Sequence, residues 1–356
     1  MKIVLNAYLD NNLGDDLMIK LFAEYFSTDD IYINVDNTIF KEPFKDITNI
    51  HFFKTSQLYD HLATSDIHVT IGGSLFTLSN YKAWIFFIKR IKIARFLHRK
   101  KIKSAIIGCN FGPFDQHNIG FKIAKLELKY KNLITVRDKK SFDMLNNDKR
   151  FKKKMVRCLP DIVFSRQKYE ENFLERNSLG ISAYRSLDSQ IENKKTYKSL
   201  SKIADKYIET YKRKVYLFAF DCERENDLVA AEYIKKYSSH KDFIEVVPYL
   251  GNMEEVLEKI NKCEAMIAIR FHSAILAGIL SIPFWAIAYS NKMRNLMQEN
   301  NGSKFLSEIT EIENDLDAID EAILNKDLYR FENIDRLKKS SKQHFKLVED
   351  LINSES

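Results

Sequence analysis

The chain has 356 residues, 45% of them apolar and 29% charged, with 25 Phe and 17 Tyr. It is about twice the ~150 residues of an ordinary domain, and its aromatic content excludes the charge-dominated compositions that cannot repay chain entropy. The net charge is +7, with 27 Lys/Arg against 17 Asp/Glu in residues 1–165 and 29 against 32 in the rest, so the positive half suits an anionic neighbour such as phosphate, nucleic acid or lipid.

The stretch from Met1 to Asn6 has only three apolar residues in a row, so the apolar segment of a secretory signal is not expected. Short β-rich runs follow at Ile3 to Leu5, Ile31 to Val35, Ile67 to Ile71, Ser104 to Gly108 and Leu133 to Val136. They resume at Val215 to Phe220, Phe243 to Val247, Ala265 to Ile269 and Phe284 to Ala288. Between them, helical patterns run over Asp16 to Phe26, Lys82 to Lys100, Gly120 to Tyr130, Lys139 to Leu145, Tyr197 to Tyr211, Asp227 to Tyr237, Met253 to Lys262 and Ser273 to Leu280. Strand alternating with helix predicts parallel sheets.

The alternation pauses in the polar stretch between Ser165 and Asn177. The expected architecture is therefore α/β, with two doubly wound Rossmann-like domains facing a cleft: residues 1–165, which are basic, and residues 177–326. A helical tail, residues 327–356, is expected to pack back on the N-terminal domain. A single (β/α)8 barrel is the rival architecture. The uncharged stretch from Phe271 to Asn291 is broken by Pro283 and His272, which favours a buried helix and strand over a membrane span. Cys109, Cys158, Cys222 and Cys263 lie far apart and form no C-x-x-C pair, so they read as core thiols in a reducing compartment.

Only 10 glycines occur, well below the ~7% of average usage, and most are expected at strand ends. Gly14 lies in Asn12-Leu13-Gly14-Asp15, Gly72-Gly73 follow one strand, and Gly108 and Gly112-Pro113 follow another. Such loops, opening onto helix N-termini, present N–H groups to anions. None matches the dinucleotide or P-loop patterns, which disfavours a nicotinamide dehydrogenase or a P-loop nucleotidase.

The sharpest feature is Arg270-Phe271-His272, where a strand ends and an apolar helix begins. Arg270 offers a planar fork for carboxylate or phosphate, and His272 a proton near neutral pH; the structural alternative pairs Arg270 with a carboxylate and uses His272 as a cap. In Val136-Arg137-Asp138-x-x-Ser141, Asp138 is suited to cap the helix. Arg137 serves either an anion or an ion pair with Asp138 or Asp161. Lys292 follows the run ending at Ala288 and is expected to reach the same cleft as His272.

Taken in order, Asn12-x-Gly14-Asp15, Gly72-Gly73, Gly108-x-x-x-Gly112-Pro113, Val136-Arg137-Asp138-x-x-Ser141, Pro160-Asp161-Ile162-Val163-Phe164, Arg270-x-His272-Ser273-Ala274, Gly278-x-x-x-Ile282-Pro283 and Tyr289-x-x-Lys292 make the sequence resemble the polysaccharide pyruvyl transferases. Ser74 stands where that family has a third glycine. The resemblance implies a GT-B-like fold and transfer of pyruvate from phosphoenolpyruvate to two hydroxyls of a sugar, as a cyclic ketal, in exopolysaccharide or capsule synthesis. It implies an acceptor side in residues 1–165, a donor side in residues 177–326, and a donor pocket lined by Arg270, His272, Arg137 and Lys292; Asn12, Gly14, Gly73 and Gly112, in the anion-facing loops, are the further expected binding positions. His272 is the expected acid and Asp15 the expected base, with Asp221 as the other candidate; no metal and no cofactor besides the donor substrate is expected. The rival readings are a nucleotide-sugar glycosyltransferase and a non-catalytic glycan-binding relative.

The expected partners are phosphoenolpyruvate and a glycan acceptor on a lipid carrier, with the protein cytoplasmic and in peripheral contact with the inner face of the plasma membrane. From Lys82 to Lys103 nine Lys/Arg occur without an acid, interleaved with Trp84, Ile85, Phe86, Phe87, Ile88, Phe96 and Leu97. That run reads either as a helix on anionic lipid or as a helix packed on the sheet with its lysines in solvent. No nucleic-acid motif accompanies it.

Overall fold

The computed structural model describes residues 1–76, 81–112, 119–151, 156–167, 175–187 and 189–354. Pro113, residues 168–172 of the polar pause and the side chains of Lys82, Trp84 and Phe86 lie outside the described residues. The chain divides into two units. The first comprises Met1–Leu9, Asp15–Ser165 and Asp335–Ser356, and the second Asp10–Gly14 and Arg166–Ile334.

The first unit runs β1 (Lys2–Ala7), α1 (Leu13–Tyr25), β2 (Asp30–Asn34), β3 (Ile50–Phe53), α2 (Leu58–Ala63), β4 (Ile67–Ile71), α3 (Tyr81–Arg99), β5 (Lys103–Cys109), α4 (Ile119–Leu128), β6 (Leu133–Val136), α5 (Lys139–Asn146) and β7 (Val156–Cys158). The second runs β8 (Ser178–Ser182), α6 (Gln190–Tyr211), β9 (Val215–Ala219), α7 (Asp227–Tyr237), β10 (Ile244–Pro248), α8 (Met253–Asn261), β11 (Cys263–Ala268), α9 (Phe271–Ile279), β12 (Phe284–Ala288), α10 (Asn291–Glu299), β13 (Leu306–Glu308) and α11 (Leu316–Leu324). The chain then returns to the first unit with α12 (Ile334–Ser341) and α13 (Gln343–Asn353).

Both sheets are parallel. The first has the order β3-β2-β1-β4-β5-β6-β7 and the second β10-β9-β8-β11-β12-β13. Each is the doubly wound order in which the winding reverses between two central strands, β1 and β4 in one sheet and β8 and β11 in the other. Strands β4, β6, β8, β9 and β12 are buried along their whole length, as strands covered on both faces by helices must be, which is why β9 and β12 read as near-continuous apolar runs.

Four strands were not anticipated from sequence. β3, β7 and β13 are three or four residues long and interrupted by His51, Arg157 and Ser307. β8 (Ser178-Leu179-Gly180-Ile181-Ser182) lacks a continuous apolar run yet is central and wholly buried. Gly180 is required there, because a Cβ would stand 2.9 Å from the Cys263 sulfur and 3.1 Å from the Phe218 ring. Gly108 lies within β5 rather than after it, at φ +72°, where the register to β6 shifts.

One further expectation changes. Cys158 is exposed at the end of edge strand β7, so only Cys109 and Cys263 are buried core thiols. The stretch from Phe271 to Asn291 contains α9 and β12. Among the described residues no helix is long and apolar enough to cross a membrane.

Candidate active site

Ligands of open α/β sheets bind outside the carboxyl ends of the strands where the winding reverses. In the second unit that point lies beyond β8 and β11, and Arg270 stands there as the residue before α9. Its backbone N–H donates to Ser182 Oγ at 3.2 Å. Its guanidinium donates from Nε to Asp227 Oδ2 at 2.8 Å, from Nη2 to Asp227 Oδ1 at 2.5 Å, and from Nη1 to Glu225. It also lies 4.8 Å over the Tyr184 ring, which stacks on Tyr289 at 3.9 Å. The planar fork is thus committed to carboxylates, and Glu225 is the more exposed of the two partners.

Asp227 is fully buried at the start of α7 and also accepts the N–H groups of Asp221 and Arg185. Burial pushes its carboxyl up to about 6, and the Arg270 charge opposes that shift, so the pair is ionised at neutral pH. Burial works against the Arg270 charge too, but Asp227, Tyr289 and Glu225 hold that guanidinium well above its ordinary value. Broken on one side, such a buried pair leaves an uncompensated charge.

His272 is the second residue of α9 and is half-buried. A Cβ built on Gly14 would overlap its imidazole, so Gly14 is the residue that lets the ring lie where it does. The Gly14 segment is held in the second unit by its backbone: Leu13 N–H donates to Phe220 O at 3.0 Å, and Asn12 bridges Asp221. Asn12 Oδ1 accepts the Gly14 N–H at 3.1 Å at the opening of α1. Asp221, buried, accepts the N–H groups of Arg224 and Glu225 at 2.9 and 3.2 Å. Asp10 is pushed up to about 6, chiefly by burial and then by the Asp221 charge. Lys292 is half-buried in the first turn of α10, and β13 rather than β12 ends the sheet.

In the first unit the winding reverses between β1 and β4, and Gly72-Gly73 follow β4. Arg137, at the end of β6, reaches that point. A Cβ on Gly73 would overlap its guanidinium. Arg137 pairs with Asp161 at 2.5 Å, and its Nε donates to Asn110 Oδ1 at 2.6 Å. Asp138 caps α5, accepting the Ser141 N–H at 2.8 Å and the Ser141 hydroxyl at 2.6 Å, while Ser141 Oγ accepts the Phe111 N–H at 2.8 Å. The Asp and Ser of this motif therefore brace the loop that positions Arg137. Gly112, next in that loop, has φ +118°, a conformation open to glycine.

Asp161 is in turn held from the C-terminal tail. Ser341 Oγ donates to Asp161 O at 2.7 Å, and the buried His344 bonds Pro160 O through Nε2 at 2.8 Å and Thr135 Oγ1 through Nδ1 at 2.6 Å. Burial lowers the His344 pKa to about 4, so the ring is neutral at physiological pH. Asp15 lies half-buried with Asp16 in the first turn of α1, where a carboxylate favours the helix dipole, and Asp15 belongs to the first unit. Among the described residues no group of three or more His, Cys, Asp or Glu side chains is arranged to hold a metal ion.

Replacing Gly73 with Ala is expected to displace the Arg137 guanidinium and to cost about 1–3 kcal/mol, read as a lower denaturation midpoint at unchanged m-value. Unchanged stability would mean that Arg137 has a second low-energy position.

The family model for polysaccharide pyruvyl transferase matches residues 12–291, from the asparagine that opens α1 to the first residue of α10. The chain belongs to the polysaccharide pyruvyl transferase family. A search of curated proteins finds no match. Among solved structures, UDP-GlcNAc 2-epimerase from Methanocaldococcus jannaschii superposes with a TM-score of 0.64 at 12% identity, over 98% of this chain and 99% of that one. S. aureus MnaA with UDP gives 0.62 at 11% identity, over 100% and 99%. The lipopolysaccharide outer core galactosyltransferase WaaB gives 0.50 at 9% identity, over 99% of each chain. At these identities the likeness shows the fold alone: two Rossmann-like sheets of the GT-B class.

In this family member the sequence motifs fall into two sets, one in each unit. Asn12, Gly14, Arg270 and His272 come together in the second, and Gly73, Gly112, Arg137 and Asp161 at the reversal point of the first. Sequence reasoning missed Asp227, Glu225 and Asp10. The only available signal for Asp227 was a carboxylate opening a helix, which ordinarily means a favourable charge at an exposed helix end.

Proposed function

We propose that this pyruvyl transferase family member moves pyruvate from phosphoenolpyruvate onto two hydroxyls of one sugar in a cell-surface polysaccharide precursor, closing a cyclic ketal. The observation that carries the reading is the seating of His272 on Gly14 beside the buried Arg270–Asp227 pair, which joins two motifs about 260 residues apart at one sheet edge.

The donor is a multiply charged anion, so binding begins with cations that are already fixed. Lys292 supplies one, and Arg270, held from behind by Asp227, supplies a second where the donor takes the place of the more exposed Glu225. His272, as imidazolium, gives its proton to the methylene carbon. Positive charge then develops at C2, and a sugar hydroxyl adds there. The bond from C2 to the phosphate oxygen breaks, inorganic phosphate leaves with its electron pair, and the second hydroxyl closes the ring. Of the two hydroxyl protons, the one taken by Asp10 passes through solvent to restore His272, and the other leaves with phosphate.

Asp10 takes the hydroxyl proton in this reading. It belongs to the same unit as His272, whereas Asp15 does not, and a carboxyl held near 6 is a better base than an ordinary one. In the first unit Arg137, braced over Gly73 and beside Gly112, is assigned to an anionic group of a substrate.

The test is release of inorganic phosphate from phosphoenolpyruvate that depends on an added sugar acceptor, with the product heavier by pyruvic acid less one water. Transfer of a hexose from a UDP-sugar without phosphoenolpyruvate consumption would overturn the reading. A raised pKa also fixes a sign: Asp10 acts as a base only when ionised, so kcat/KM should fall as pH drops through about 6, by roughly tenfold per unit below it. Asp10→Asn should lower kcat/KM and remove that acid limb; a limb unchanged in the variant would assign it to another group.

A further inference from the structure

Helices α3 and α4 of the first unit pack side by side, cross-linked by the buried Arg90–Glu127 pair at 3.0 Å and by the His98 and Tyr130 rings at 5.3 Å. Glu127 is the only carboxylate in either helix, and it is consumed by Arg90. The inner side chains Phe87, Ala94, Leu97, Ala124 and Leu128 are buried. On the outward side of α3 stand Ile85, Ile88, Lys89, Lys92, Arg95 and Arg99, which recur at three- and four-residue spacing, with Lys100 and Lys101 beyond. α4 and the turn after it add Lys122, Leu126 and Lys129 at the same spacing. Ile85, Ile88 and Leu126 are 43%, 49% and 43% exposed.

We infer that this α3–α4 face is a docking surface for an anionic lipid bilayer. Among the described residues of α3 and α4 the exposed charge is of one sign, because Glu127 is buried inside the pair and Asp148, from beyond α5, is held by the buried Lys125. Its described exposed apolar residues, Ile85, Ile88 and Leu126, are aliphatic, and they can enter the acyl boundary while the lysines and arginines remain among the headgroups. A nucleic-acid groove would use the same cations but place stacking aromatic rings among them, and the exposed apolar side chains described on this face are Ile and Leu.

The experiment is flotation of the full chain with phosphatidylcholine vesicles, with and without phosphatidylglycerol, at low and at physiological salt. Wild type is expected on the anionic vesicles only, with binding weakened by salt. The triple variant Lys89→Glu, Lys92→Glu and Lys100→Glu should lose at least about a hundredfold in partition, since each neutralised cation alone is worth about fivefold. Lys122→Glu with Lys129→Glu, on the other helix, is an independent arm should the first variant fold poorly by circular dichroism. Ile85→Ser with Ile88→Ser should leave a residual attachment that salt abolishes. Equal binding to neutral vesicles, no binding at low salt, retention by both charge-reversal variants, or displacement from vesicles by a short RNA at lower concentration than by salt would each overturn the inference. None of these readouts depends on pyruvyl transfer, and turnover of a water-soluble acceptor should be unchanged in every variant.

Discussion

His272→Gln should lower the rate of acceptor-dependent phosphate release by about 10²–10⁴, the usual worth of a positioned general acid, while Tm stays within a few degrees of wild type. Glutamine keeps a polar side chain of similar reach and cannot deliver a proton at neutral pH. The residue is half-buried, with its ring against Gly14 and 5.4 Å from the Phe271 ring, and glutamine fills much of the same space. Kcat is the parameter expected to fall, because the proton moves in the transition state and donor binding is assigned to Arg270 and Lys292. A large fall in Tm, or a change confined to KM, would give His272 a structural or binding role instead.

Asp227→Ala is expected to destabilise the second unit by about 3 kcal/mol, roughly 6–12 °C in Tm for a unit of this size, and to abolish turnover. The loss comes from Arg270: with Asp227 gone, two of its three carboxylate hydrogen bonds disappear, and Glu225, at the more exposed end, is the carboxylate that remains. Asp227→Asn separates the two effects, since it keeps the shape and one acceptor oxygen while removing the charge. That variant should retain more stability than Asp227→Ala and still bind phosphoenolpyruvate poorly. Wild-type stability in Asp227→Ala would show that Glu225 alone compensates the guanidinium.

The alternation of strand and helix, and with it the parallel α/β class, was legible in the sequence where a strand buried on both faces carries an apolar run. β9 and β12 are such strands, and their composition alone marks them. The edge strands β3, β7 and β13 were not, because a strand covered on one side is short and tolerates polar residues. β8 was not legible for the opposite reason. Close packing against Cys263 and Phe218 demands a glycine at position 180, and that glycine erases the apolar run.

The residue types of the candidate site were also readable locally: an arginine and a histidine at a strand end, scarce glycines after strands, an aspartate and a serine spaced to cap a helix. What they do to one another was not. Local spacing determines which side chains stand at the carboxyl end of a strand, because the pleat and the helix start fix it within a few residues. Which carboxylate meets Arg270, and which ring Gly14 must admit, depends on strand order. β8 and β11 lie side by side although some 80 residues separate them, and the Asn12–Gly14 segment joins the second unit although it opens a helix of the first. Those contacts exist only once the sheets are assembled, so the motif residues, and Asp161 as a candidate partner of Arg137, belonged to the sequence, and the partners Asp227, Glu225 and His344 to the tertiary structure.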